Sequence, residues 1–134
     1  MSDSASCPPR VLVLQADRKM QARCRRTLAA WGFEVRCTAS AERVLSLVAE
    51  GPCDALVIDL DIPSVDGLGV LGAVRAHGPT RRLPIVVLSA ESDGATNELL
   101  VGRGSDLILA GTFDADWLAA ELESVLARGT CRAA

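Results

Sequence analysis

The chain has 134 residues, 49% of them hydrophobic but only 3% aromatic, and a formal net charge of −3. That length fits one ordinary domain with an aliphatic core that needs no covalent staple. The mildly negative balance argues against nucleic acid as the main partner, and no apolar run approaches the roughly 18 residues of a membrane span.

Five cysteines (Cys7, Cys24, Cys37, Cys53, Cys131) occur without a Cys-x-x-Cys pair, and His77 is the only histidine. This pattern predicts reduced thiols rather than a disulfide framework or a structural zinc. The start, Met1 to Arg10, is polar and interrupted by Pro8-Pro9, so it is not expected to act as a secretory signal, and the expected compartment is the cytoplasm. Charge is unevenly spread. Residues 1–50 carry eight basic and five acidic side chains, and residues 51–134 carry six and twelve.

In chain order, the first apolar run is Val11–Leu14, and a helix follows over about Arg18 to Trp31. Its apolar positions are Met20, Cys24, Leu28 and Trp31, with Gly32 as the stop. Phe33–Cys37 reads as a strand weakened by Glu34 and Arg36, hence an edge strand. Ser40 is the expected N-cap of a second helix that puts Ala41, Val44, Leu45 and Val48 on one face and ends at Gly51-Pro52. Ala55–Leu60 is the next strand, and a third helix runs from about Gly67 to His77. Ile85–Leu88 follows, then a weakly patterned helix near Ala95–Val101, the strand Leu107–Leu109, and a last helix capped by Asp114. Strand and helix alternate five times, which predicts βαβ units around a parallel sheet.

Two motifs compete for the functional reading. Gly67-Leu-Gly-Val-Leu-Gly72 matches the G-x-G-x-x-G dinucleotide pattern, but such a loop must follow its strand directly and open onto a helix. Here residues 62–66 intervene, and close helix–sheet packing accounts for the glycines. The stronger motif is Ala55 to Gly67, in which a strand delivers Asp59 at its carboxyl end and Pro63 and Asp66-Gly67 turn the chain into the next helix. A carboxylate there sits where open α/β sheets bind ligands and do chemistry.

The five-fold alternation, the run Val57-Ile-Asp-Leu-Asp-Ile-Pro-Ser-Val-Asp-Gly67 and Pro84-Ile-Val-Val-Leu-Ser-Ala90 together resemble the receiver domain of two-component response regulators. The resemblance implies a flavodoxin-like, three-layer (βα)5 α/β fold with a five-stranded parallel sheet of order 2-1-3-4-5. It implies a receiver domain over residues 10–128, a disordered tail at 1–9 and a second tail at 129–134. By the same resemblance Asp59 is the candidate phosphoacceptor, and Ser89 supplies the hydroxyl that bonds a phosphoryl oxygen. The backbone carbonyl of Asp61 becomes a ligand of Mg²⁺ beside Asp59.

Departures from the family pattern are specific. The acidic pair that holds Mg²⁺ at the end of the first strand falls on Gln15 and Ala16. Neither is anionic, and Gln15 offers at most a neutral carbonyl. Asp17, one place on, reads as an N-cap, with a displaced metal ligand as the alternative. The family lysine and proline ending the fifth strand are missing from Leu109-Ala-Gly-Thr-Phe113, and Lys19 is the only lysine in the chain. Leu107 or Ile108 takes the place of the family's aromatic switch. Phosphoryl transfer to a carboxylate depends on cations that neutralise the oxygens, so Mg²⁺ binding and phosphorylation are both expected to be weak.

Arg18, Lys19, Arg23, Arg25 and Arg26 make the first helix basic. Such a face is either solvated or, by the resemblance, a docking surface for a histidine kinase, phosphotransfer or other signalling protein. The expected function is a non-enzymatic signalling module that acts through protein contacts, a second copy of the chain included, with no nucleic-acid or membrane partner. A working phosphoacceptor with a makeshift Mg²⁺ site and a small-ligand sensor using the vacated pocket are the alternatives.

Overall fold

Alternation of aliphatic strands with one-sided helices produces a single open sheet in the computed structural model. It describes residues 8–51, 53–61, 67–89, 107–110 and 114–133, with the side chains of 110 and 128–133 left aside. The elements are β1 (Arg10–Leu14), α1 (Arg18–Ala30), β2 (Glu34–Thr38), α2 (Ala41–Glu50) and β3 (Ala55–Asp59). They continue as α3 (Gly67–Ala76), a 3₁₀ turn (Gly78–Thr80), β4 (Ile85–Ser89), β5 (Leu107–Ala110) and α4 (Ala115–Ala133). The turn through Pro63 to Asp66, the helix expected near Ala95–Val101 and residues 1–7 of the expected N-terminal tail lie outside the described residues.

All four strand pairings are parallel, and the order is β2-β1-β3-β4-β5. This is the flavodoxin-like order expected from the sequence. Successive residues of a strand face opposite ways, so the sheet carries two cores. Leu12, Leu14, Leu56, Ile58, Ile85 and Val87 pack under α2 and α3, against Val44, Leu71 and Val74. Val11, Val13, Val57, Val86 and Leu88 pack under α1 and α4, against Cys24, Leu28, Leu118 and Leu122. Burial on both faces explains why β3 and β4 read as unbroken apolar runs.

β2 is an edge strand, as its charged residues predict, and pairs only with β1. Its observed start is one residue later than the apolar run. Helix ends follow local chemistry. Asp17 caps α1 through Oδ1, which accepts from the backbone N–H of Lys19 at 2.8 Å and of Met20 at 3.4 Å. Gly32, at φ +96, closes α1 in a conformation that glycine adopts without strain. Asp114 caps α4 as expected, accepting from Asp116 N–H at 2.9 Å and Trp117 N–H at 3.3 Å.

Ser40 departs from expectation. It occupies the N-cap position of α2, but its side chain makes no capping bond. The turn is held by Thr38 instead, whose Oγ1 accepts from Ser40 N–H at 3.1 Å. The glycine decoy resolves in parts. A Cβ at Gly67 would run into the Leu60 side chain and lie 3.3 Å from Ile58 Cγ2, whereas one at Gly72 would meet nothing within 4 Å. Close packing therefore explains Gly67 but not Gly72.

Candidate functional site

Register brings the candidate residues to one end of the sheet. Gln15 follows the last residue of β1, Asp59 ends β3, Ser89 ends β4 and Ala110 ends β5. Asp59 lies beside Leu88, and Ser89 beside Ala110, in adjacent strands. All four residues thus stand at the carboxyl edge, where α/β sheets place their chemistry. The position ending β5, where the resemblance expects a lysine, is Ala110.

The carboxylate of Asp59 is held on both oxygens. Oδ1 accepts from the backbone N–H of Asp61 at 2.8 Å, and Oδ2 accepts from the side-chain amide of Gln15 at 2.5 Å. Gln15 is buried, with 4% of its surface exposed, and every polar atom of its side chain and backbone is engaged. Its Oε1 accepts from Asp17 N–H at 3.0 Å, its N–H donates to Thr38 O at 2.9 Å, and its carbonyl accepts from Gln21 Nε2 at 2.5 Å. The Asp17 N–H requires an acceptor, which fixes which end of the Gln15 amide is oxygen. Nitrogen therefore faces Asp59.

This donor set does not fit a divalent cation at the Gln15 position. Mg²⁺ takes oxygen ligands in near-octahedral geometry, and Gln15 turns its N–H, not its carbonyl, toward the carboxylate. Ala16 has no ligand atom in its side chain. Asp17, considered above as a displaced ligand, has Oδ1 on the first turn of α1. Among the described residues, no three His, Cys, Asp or Glu side chains come together. Asp61 meets Asp59 through its N–H.

Ser89 is buried, and among the described residues its hydroxyl has no hydrogen-bond partner. On β5, Leu107 packs partly buried on the α1/α4 side and Ile108 on the α2/α3 side. Neither is aromatic. A thiol lies close behind the site: burial pushes Cys24 up to about 12, the nearby Cys37 and Asp59 adding to the rise and Arg23 opposing it. Cys24, Cys37 and Cys53 are all free thiols. Burial raises Cys37 and Cys53 as well, and it is the main cause in each case.

The five cations of α1 are all exposed. Lys19, Arg23 and Arg26 follow the i, i+4, i+7 spacing of one stripe, while Arg25 turns its guanidinium to the Cys37 thiol on β2. Among the described residues, none of the five has a carboxylate within 4 Å. The sequence pattern alone did not separate Arg25 from the stripe, because its partner lies on another element. The Gln15–Asp59 bond is likewise not legible in the sequence, where Gln15 reads only as a lost ligand, because a side-chain amide gives no sign of its direction before folding.

Comparison with known proteins agrees with this architecture. A family model described as the response regulator receiver domain matches residues 11–123. Response regulator MprA of Mycolicibacterium vanbaalenii is 32% identical over 123 residues, which are 92% of this chain and 52% of that protein. Transcriptional regulatory protein PrrA of Mycobacterium tuberculosis is 32% identical over 126 residues, 94% of this chain and 53% of its own length. The chain thus spans about half the length of the curated relatives it matches. A crystal structure described as a response regulator from Chloroflexus aurantiacus superposes with a TM-score of 0.81 at 30% identity, covering 90% of this chain and 98% of that one. Chemotaxis protein CheY4 of Vibrio cholerae shares the fold, with a TM-score of 0.82 at 22% identity over 88% of this chain and 98% of its own.

Proposed function

The chain belongs to the response regulator receiver domain family, and from that premise we propose that it signals through protein contacts, with Asp59 phosphorylated weakly or not at all. Receiver domains are signalling modules of two-component pathways. The observation that carries the finer reading is the Gln15 amide on Asp59 Oδ2 at 2.5 Å. A phosphoryl donor brings negative charge to a carboxylate, and transfer is fast only where fixed cations meet the oxygens. Here a neutral donor replaces the acidic pair, and Ala110 ends the strand where the resemblance places a lysine. Each lost cation is worth several kcal/mol at such a transition state, hence orders of magnitude in rate.

Within this reading Ser89 is the hydroxyl that would meet a phosphoryl oxygen. Mg²⁺ binds weakly at most, on Asp59, the Asp61 carbonyl and water, with Asp17 a remote third donor. The basic stripe of α1, Lys19, Arg23 and Arg26 with Arg18, docks an acidic surface of a histidine kinase or phosphotransfer protein, and charge complementarity speeds the encounter. The working domain spans residues 10–128 in the cytoplasm. Among the described residues, no helix is long and apolar enough to cross a membrane. The exclusion of nucleic acid is not supported, because PrrA is named a transcriptional regulatory protein over about twice this length.

A working phosphoacceptor is the second reading, and the Ser89 hydroxyl, which has no partner among the described residues, favours it. Incubation with acetyl phosphate or phosphoramidate and Mg²⁺, followed by intact mass, separates the two. The proposal expects little or no phosphoryl adduct, and a near-complete adduct lost in Asp59→Asn would overturn it.

A further inference from the structure

We propose that the Gln15 carboxamide stands in for the cation at this site: from the position where the resemblance expects an acidic metal ligand, it holds the Asp59 carboxylate by a neutral donor and ties it to α1. The inference deepens the receiver reading above and rests on it. Its ground is a buried residue held at both ends of its side-chain amide and at its backbone carbonyl. Nε2 donates to Asp59, Oε1 accepts from Asp17 N–H, and the Gln15 carbonyl accepts from Gln21 Nε2 on α1. A chain of bonds therefore runs from the acceptor carboxylate to the helix that carries Lys19, Arg23 and Arg26.

For Gln15 to offer its oxygen to a metal on Asp59, the amide would have to turn over. Its NH₂ would then confront the Asp17 N–H, donor against donor, and both side-chain bonds would be lost together. Gln15 is thus a positioning residue that orients Asp59 by a neutral donor, and the site is assembled without divalent metal.

The test compares thermal melts of the intact chain in millimolar MgCl₂ or MnCl₂ at constant ionic strength. The wild type should show no change in Tm with metal. Gln15→Glu sets a second carboxylate against Asp59, so it should melt lower without metal and recover saturably with it. Adding Asp59→Asn to that variant should abolish the recovery. Should Gln15→Glu not fold, the side-chain amide signals of Gln15 in the ¹⁵N-labelled wild type give the same answer. They should move in Asp59→Asn and stay fixed on Mg²⁺ addition. A wild-type Tm that rises with Mg²⁺ as much as that of Gln15→Glu, or Gln15 amide signals that follow Mg²⁺, would overturn the proposal. The two readings fail separately. A phosphoryl adduct formed in the presence of EDTA would refute weak phosphorylation and leave the role of Gln15 standing. Mg²⁺ stabilisation of the wild type without any adduct would do the reverse.

Discussion

Gln15 and Asp59 satisfy each other across 44 residues of sequence, and the energetic cost of separating them should be measurable. Gln15→Ala removes the donor to Oδ2 and the acceptor for Asp17 N–H while leaving a buried space. Losing a buried partner typically costs about 1–3 kcal/mol, so urea melts should show a loss in that range, whereas a neutral effect would mean that water replaces the amide freely. Cys24 gives a pH-dependent prediction. Its thiol rises from the ordinary 9.0 to about 12 in the folded chain, so the folded state holds the proton more tightly than the unfolded one. Stability from this thiol is fully present below pH 9 and falls as pH climbs from 9 toward 12, the cumulative loss being roughly 4 kcal/mol at the upper end. Urea midpoints between pH 8 and 10 should fall more steeply for the wild type than for Cys24→Ala; parallel slopes would contradict this.

At the level of elements, the glycines of α3 predict opposite signs for one kind of change. Gly72→Ala meets nothing within 4 Å and should stabilise by about 0.5–1 kcal/mol, the usual difference in helix propensity. Gly67→Ala presses on Leu60 and Ile58 and should cost about 1–2 kcal/mol, as overpacking does. Chemical denaturation of both variants checks the pair. The helix starts show what local sequence can reveal. Asp17 and Asp114 cap as read, because a carboxylate beside free N–H groups needs no distant partner. Ser40 does not: it holds the N-cap position, but its hydroxyl accepts nothing from the first turn of α2, and the turn is fixed by Thr38 Oγ1 accepting from Ser40 N–H. The edge character of β2 was legible from Glu34 and Arg36, since a strand with one neighbour leaves charged side chains in water.

Across the whole molecule, the sheet order and the two-sided core follow from strands that are apolar on both faces and helices that are apolar on one. Those patterns are written in the chain, and so is the place of Asp59 at a strand end. The hydrogen bonding of the site is not, since it depends on β1 and β3 lying side by side and on which way one buried amide turns. The same arrangement bears on signalling. A ligand shifts a conformational equilibrium only by its different affinity for the two states. With a neutral donor on Asp59 and aliphatic Leu107 and Ile108 on β5, that difference should be small. Titration of the ¹⁵N-labelled protein with beryllofluoride and Mg²⁺, a mimic of the phosphorylated state, tests this most directly. Backbone amides of Asp59, Asp61, Ser89 and Leu107 to Ala110 should barely move at millimolar levels. A large, saturable shift through those residues would contradict the account and identify a conventional phosphorylation switch.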